Sequence, residues 1–297
     1  MTMKLLKNEI KRAVFSKAFL ISMGIMSLFA VLSGIYMIET INNYNPYAIE
    51  NGIMIGPNTG ILYAPEFPLS SLYSAWVGGE MRSLAHSVFF SIMPICAVLP
   101  YAWTYLSERK SGYLKNVFTR INKSKYYISK GIAIVISGAL AVLIPYVVNI
   151  LLVSAFVPHY YTWAGYTFYN QVFFGTIWAD IFFTHPFLHM LLFVGLNSLY
   201  GGVFALLGYA VSFYSRSLLV TLFLPFVSTL FIGYFEKFLY TNGRSLADYY
   251  ELNPTKFLFS RCINYSQNGW IISGITLLLI AVAVIAIYFG GRKHEVY

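Results

Sequence analysis

Residues 131–157 read GIAIVISGALAVLIPYVVNILLVSAFV, 27 consecutive residues without Asp, Glu, Lys or Arg. A helix rises about 1.5 Å per residue, so about 20 apolar residues cross the roughly 30 Å hydrocarbon layer of a bilayer, and a charge at the middle would cost about 2.5–3.5 kcal/mol. Five more stretches are equally free of charge: 18–38, 84–106, 187–212, 217–235 and 270–289. The six together hold 136 of the 297 residues, so all 31 charged side chains are confined to the connecting segments. This pattern predicts an all-α integral membrane protein with six transmembrane helices and no independent soluble domain, one membrane domain over 1–297. Composition excludes the alternatives: 10% charged residues are too few for the surface of a soluble domain, 50 Phe and Tyr are too many for a solvated coil, and Cys96 and Cys262 cannot make a disulfide scaffold.

The connecting segments set an orientation. From the N-terminus they carry 5, 1, 7, 0, 1, 4 and 2 Lys+Arg, so six spans with the N-terminus inside place fifteen of these on the cytoplasmic side and five outside. Basic residues favour the cytoplasmic face, which selects this direction; the expected location is the plasma membrane, of a bacterium. The first apolar run is too long for a cleaved signal and is expected to stay as an anchor. A seventh span over 160–183 (YYTWAGYTFYNQVFFGTIWADIFF) satisfies the charge rule equally well. Its Tyr and Trp residues suit the headgroup level, and Asn170, Gln171 and Asp180 are ill placed in lipid, which favours an interfacial or re-entrant segment.

Two basic segments carry helical periodicity. In 1–17, Met3, Leu6, Ile10, Ala13 and Val14 share one arc of a helical wheel, and Lys4, Lys7, Lys11 and Arg12 the other, as in an amphipathic elbow lying on the membrane surface. In 107–130 (SERKSGYLKNVFTRINKSKYYISK), Leu114, Val117, Phe118 and Ile121 follow i, i+3, i+4, i+7 spacing, with Lys115 and Arg120 pointing elsewhere. That stripe suits either the lipid surface or the groove of a cytoplasmic partner, and periodicity does not choose between them.

Glu108 with Gly112 four residues on, a short helix, Arg120 and a lysine-rich approach to Lys130 resemble the permease subunits of type-2 ATP-binding-cassette exporters. The likeness covers most of the chain in plan and about 25 residues in motif; Val117-Phe118-Thr119-Arg120 stands where the family commonly has a proline before the basic residue. It implies a coupling helix that meets an ATPase chain through Glu108, Gly112, Leu114, Val117, Phe118, Arg120 and Ile121. It also implies two ATPase subunits that bind ATP and Mg, and a second permease, identical or related. The function it implies is outward movement of cargo by alternating access, and the aromatic, uncharged spans favour a peptide, drug or lipid-like cargo, with a glycan also compatible.

The chain has no GxxxxGK[ST] loop, so no ATP site, cofactor or catalytic residue is expected in it. No apolar run contains Asp, Glu, Lys or Arg, which disfavours a proton- or sodium-coupled carrier, although Asn149 and Asn197 offer oxygen ligands. The alternative classes are an ATP-independent channel or carrier and a membrane-embedded enzyme. His185 and His189 lack a third ligand, so no metal site is expected. Residues 39–83 and 236–269 read as irregular outer connections, the latter with short helices around Asn253-Pro254. Gly195, Ser198, Gly202, Ala205, Gly208 and Ser212 form a small-residue stripe for close helix packing.

Overall fold

The computed structural model describes residues 2–51, 71–159, 172, 175–240, 249–261 and 265–293. Twelve helices lie among them: α1 (Thr2–Val14), α2 (Lys17–Asn51), α3 (Leu72–Ala75), α4 (Leu84–Val98), α5 (Thr104–Lys110), α6 (Tyr113–Phe118), α7 (Lys123–Ser154), α8 (Ala179–Thr184), α9 (Pro186–Tyr214), α10 (Leu218–Tyr240), α11 (Pro254–Phe257) and α12 (Gly269–Lys293). No named strand occurs among the described residues, and the single bridge joins Tyr250 to Ser266. Five segments, Lys17–Ile41, Lys123–Ser154, Pro186–Tyr214, Leu218–Tyr240 and Gly269–Arg292, are long and apolar enough to cross a bilayer. The chain is an all-α protein of multi-pass membrane character.

The expected second span, 84–106, is divided. Its helix stops at Val98 after 15 residues, about 22 Å of rise, and α5 begins only at Thr104. Pro100 accounts for the break: it has no N–H to donate to the carbonyl of Cys96, and that carbonyl accepts the Ser22 hydroxyl of α2 instead. The first span, by contrast, runs past its expected end, because 39–51 contains no glycine and Pro46 removes only one backbone donor. Residues 39–51 are therefore helix, not irregular loop.

Helices α7 and α9 form the centre of the bundle and run antiparallel. Gly131 lies beside Tyr209, while a Cβ on Gly138 would stand 2.5 Å from the Ala205 Cβ and 2.7 Å from the Gly201 carbonyl oxygen. Glycine at 138 and 201 is what lets the two backbones approach so closely. The predicted stripe is used at Gly202, Ala205 and Gly208, whereas Gly195 faces open space. One end of the bundle gathers α1, the α4–α7 connection, the α9–α10 turn and the end of α12, and with them most of the basic residues. Here the Ser16 hydroxyl donates to Pro100 O at 3.2 Å, and Gly291 abuts Tyr127. At the far end, Leu72 N–H donates to Pro158 O (3.0 Å), Ser260 N–H to Gly78 O (3.1 Å) and Gln267 N–H to Gly175 O (2.7 Å).

The far end also corrects the reading of 71–83 as an outer loop. Trp76, Val77 and Glu80 are buried, and the loop fills the space between α2, α4 and α7. Asn149, considered above as an ion ligand, holds it there: its Oδ1 accepts Val77 N–H at 2.8 Å, and its Nδ2 donates to Ala30 O at 2.6 Å. Asn197 Nδ2 likewise reaches Leu258 O at 2.9 Å. Residues 241–248 lie outside the described residues, as do Cys262 and most of 160–174; the Asn253-Pro254 step opens the four-residue α11 with Asn253 as its cap.

Candidate functional site

The residues singled out in 107–130 sit at the basic end in a helical hairpin, α5–α6, turned by Gly112. Gly112 has φ +74°, a left-handed conformation that a Cβ would strain, and it lets the chain leave α5 and enter α6 without a connecting loop. Arg109 anchors the hairpin: its Nη1 donates to Phe213 O and its Nη2 to Ser215 O at the C-terminus of α9, where unpaired carbonyls and the helix dipole both favour a cation.

The apolar stripe of this hairpin faces inward. Leu114 is buried, and Val117, Phe118 and Ile121 pack against a cluster of Tyr101, Tyr105, Tyr126, Tyr209 and Phe213. Phe118 meets the rings of Tyr126 and Tyr127 edge to face at 5.7 and 5.8 Å. The groove that this stripe requires is thus supplied by the chain itself. Tyr113, Lys115, Asn116, Thr119 and Arg120 stay exposed, and Phe118–Ser124 line an adjoining open hollow of about 560 Å³.

Below the hairpin lies a knot of charge. Glu108 is 8% exposed and accepts from the Tyr126 hydroxyl, the Lys130 ammonium and, at 3.3 Å, Arg12 Nη2. Arg12 Nη1 also reaches Glu9 Oε1 at 3.2 Å, and the Tyr101 hydroxyl donates to Glu9 Oε2 at 2.7 Å. Lys130 is wholly buried, with its ammonium 4.9 Å from the Tyr101 ring centre and 5.5 Å from that of Tyr126. Two carboxylates balance two cations, so the group is neutral as a whole, the condition under which buried charge is tolerated. Burial works against the charge of Arg12, but Glu9 and Glu108 help to leave its pKa above the ordinary value. The knot ties α1 (Glu9, Arg12), α5 (Glu108) and α7 (Tyr126, Lys130) into one unit.

The amphipathic N-terminal segment therefore does more than rest on a surface. It packs along α7 with Ala13 buried and Ile10 against the tyrosine cluster; Leu6 is half-buried, Lys4, Lys7 and Lys11 are exposed, and Met3, assigned to the apolar arc, is 85% exposed. Glu9, Lys130, Tyr101 and Tyr126 were not singled out by periodicity. A signal for the acids was present, since Glu9 and Glu108 are the sole acidic residues of segments 1–17 and 107–130, which carry five and seven basic ones. The absence of Lys, Arg, Asp and Glu from the spanning helices also needs correction. Helix α7 starts at Lys123, eight residues ahead of the charge-free run, so Lys130 is two turns inside it, and Glu236 is buried near the end of α10.

His185 is exposed and His189 buried among Phe182 and Phe193. Among the described residues no group of three or more His, Cys, Asp and Glu is placed to hold a metal ion. No protein-family model matches the chain, and no curated protein matches it.

Proposed function

We propose that the chain is the membrane-spanning subunit of an ATP-driven exporter, with the α5–α6 hairpin as the element on which a separate ATPase subunit acts. In this reading the basic end is cytoplasmic, α4 forms a short crossing beside the five long ones, and the antiparallel α7 and α9 are joined at the far end. Two such permeases, identical or related, with two ATPase subunits binding ATP and Mg, move a peptide, drug or lipid-like cargo outward.

The observation that carries the reading is the Glu9–Arg12–Glu108–Lys130 knot. A hairpin with an exposed outer face is fastened to α7 through the buried Glu108–Lys130 pair and to α1 through the half-exposed Arg12, so a push on that face is transmitted to the helices and not absorbed by a loose loop. The contact face is the exposed one, Tyr113, Asn116, Thr119 and Arg120, because Leu114, Val117 and Phe118 are already committed to the chain's own core. The test is co-purification with a co-expressed ATP-binding-cassette ATPase, together with ATP hydrolysis in liposomes. Tyr113→Ala with Asn116→Glu should abolish binding at unchanged melting temperature. Retained binding and stimulation in that variant, or no binding by the native chain, would remove the assignment.

A further inference from the structure

Two carboxylates are buried around one ammonium at the far end. Glu236 of α10 is fully buried and Glu251, in the extended segment before α11, is 1% exposed. Lys256 Nζ lies 3.4 Å from Glu236 Oε1 and 3.3 Å from Glu251 Oε1. Glu236 Oε2 accepts the backbone N–H groups of Asn253 at 3.1 Å and Leu252 at 3.4 Å, whereas Glu251 Oε2 has no hydrogen-bond partner. The backbone holds these groups in place: Glu251 N–H donates to Ser266 O at 2.9 Å, and Gly233 approaches Asn253 so closely that a Cβ would stand 2.6 Å from its Nδ2.

The surroundings offer no second counter-ion among the described residues. Tyr240, Tyr249 and Tyr265 stack beside the group, with Lys256 5.9 Å from the centre of the Tyr265 ring. The Tyr240 hydroxyl is turned away, donating to Tyr250 O at 2.7 Å. With both carboxylates ionised, the described residues leave one buried negative charge without an ammonium of its own, an arrangement that proteins relieve by taking up a proton.

We propose that Glu236 and Glu251 form a single proton-binding site, and that the bound proton fastens segment 249–257 to the end of α10. A proton held by Glu251 within reach of Glu236 gives a carboxyl oxygen that lacks a hydrogen bond one to donate, and leaves one carboxylate for one ammonium. Burial and then the Glu236 charge push the Glu251 carboxyl from 4.5 up to about 7, with Lys256 pulling the other way. Burial lowers the Lys256 pKa, but Glu251 and Glu236 outweigh it and keep the ammonium charged throughout this window. The docked segment holds the proton more tightly than the free one, so docking is strongest in acid. It weakens as pH rises from 4.5 to about 7 and changes little beyond.

The test is infrared difference spectroscopy on the whole chain in lipid nanodiscs, between about two pH units below and two above neutrality. The native chain should lose a carboxylic-acid carbonyl band with a midpoint near pH 7, and the melting temperature should fall over the same acid-to-neutral range. Glu251→Gln, which mimics the protonated acid, should lack the band and melt at a temperature independent of pH in that range. Glu236→Gln should also lack it, because one carboxylate beside Lys256 stays ionised, so the assignment survives if either variant fails to accumulate. No carboxylic-acid band titrating near neutrality in the native chain, or the same band in both glutamine variants, would overturn the proposal.

Discussion

Removing one member of a buried ion pair strands the other, and Glu108 and Lys130 are placed to show the size of that effect. Glu108→Gln leaves the Lys130 ammonium wholly buried over two tyrosine rings without its counter-ion, a loss expected at about 3–5 kcal/mol. Lys130→Met should cost about 3 kcal/mol, at the lower end, because Arg12 and the Tyr126 hydroxyl still serve Glu108. The double variant should be more stable than the sum of the two losses by at least about 1 kcal/mol, read from denaturation of all four proteins in one detergent. Additive losses would mean that the two side chains do not interact. A lone acid in each of two basic segments was legible beforehand, and so was Gly112 as a turn residue. Lys130 was not, because nothing local distinguishes a lysine on a headgroup from one that has followed its helix inward to meet a carboxylate 22 positions away.

At the level of elements, helix–helix approach is the property most open to test. The α7–α9 contact leaves no room for a methyl group at Gly138, so Gly138→Ala should lower stability by about 1–3 kcal/mol through overpacking. Gly195→Ala should be neutral or slightly stabilising, since its Cβ meets nothing within 4 Å and alanine favours a helix. Thermal unfolding of the two variants in the same detergent separates the cases; equal behaviour would show that the close approach does not hold in the membrane. Five of the six apolar runs became parts of single helices because length and lack of charge are local properties. The small-residue stripe was half legible, because the partner helix decides which glycine faces a backbone and which faces open space. The α6 stripe shows the same limit: spacing marked Leu114, Val117, Phe118 and Ile121 as a buried face, but only the packed tyrosines say what buries it.

For the whole molecule, sidedness can be measured directly. In a chain with Cys96 and Cys262 replaced by serine, a cysteine at exposed Asp180 should react with a membrane-impermeant maleimide in intact cells, and one at exposed Thr119 only after permeabilisation. The reverse labelling would invert the orientation, and labelling of both in intact cells would place the two ends on one side. Helix, six apolar runs and a basic bias in alternate connections are readable from the residues alone, because those properties rest on composition and periodicity within about 20 residues. Packing in three dimensions is what stops α4 at Val98, draws 71–83 into the bundle, brings Glu108 to Lys130 and Arg12, and lets Glu236 share a lysine with Glu251. The Cys96 carbonyl is claimed by a serine 74 positions earlier, and Gly78 O by a serine 182 positions later. Such pairings bring together groups far apart in the chain, and their energies depend on burial, which no stretch of sequence records on its own.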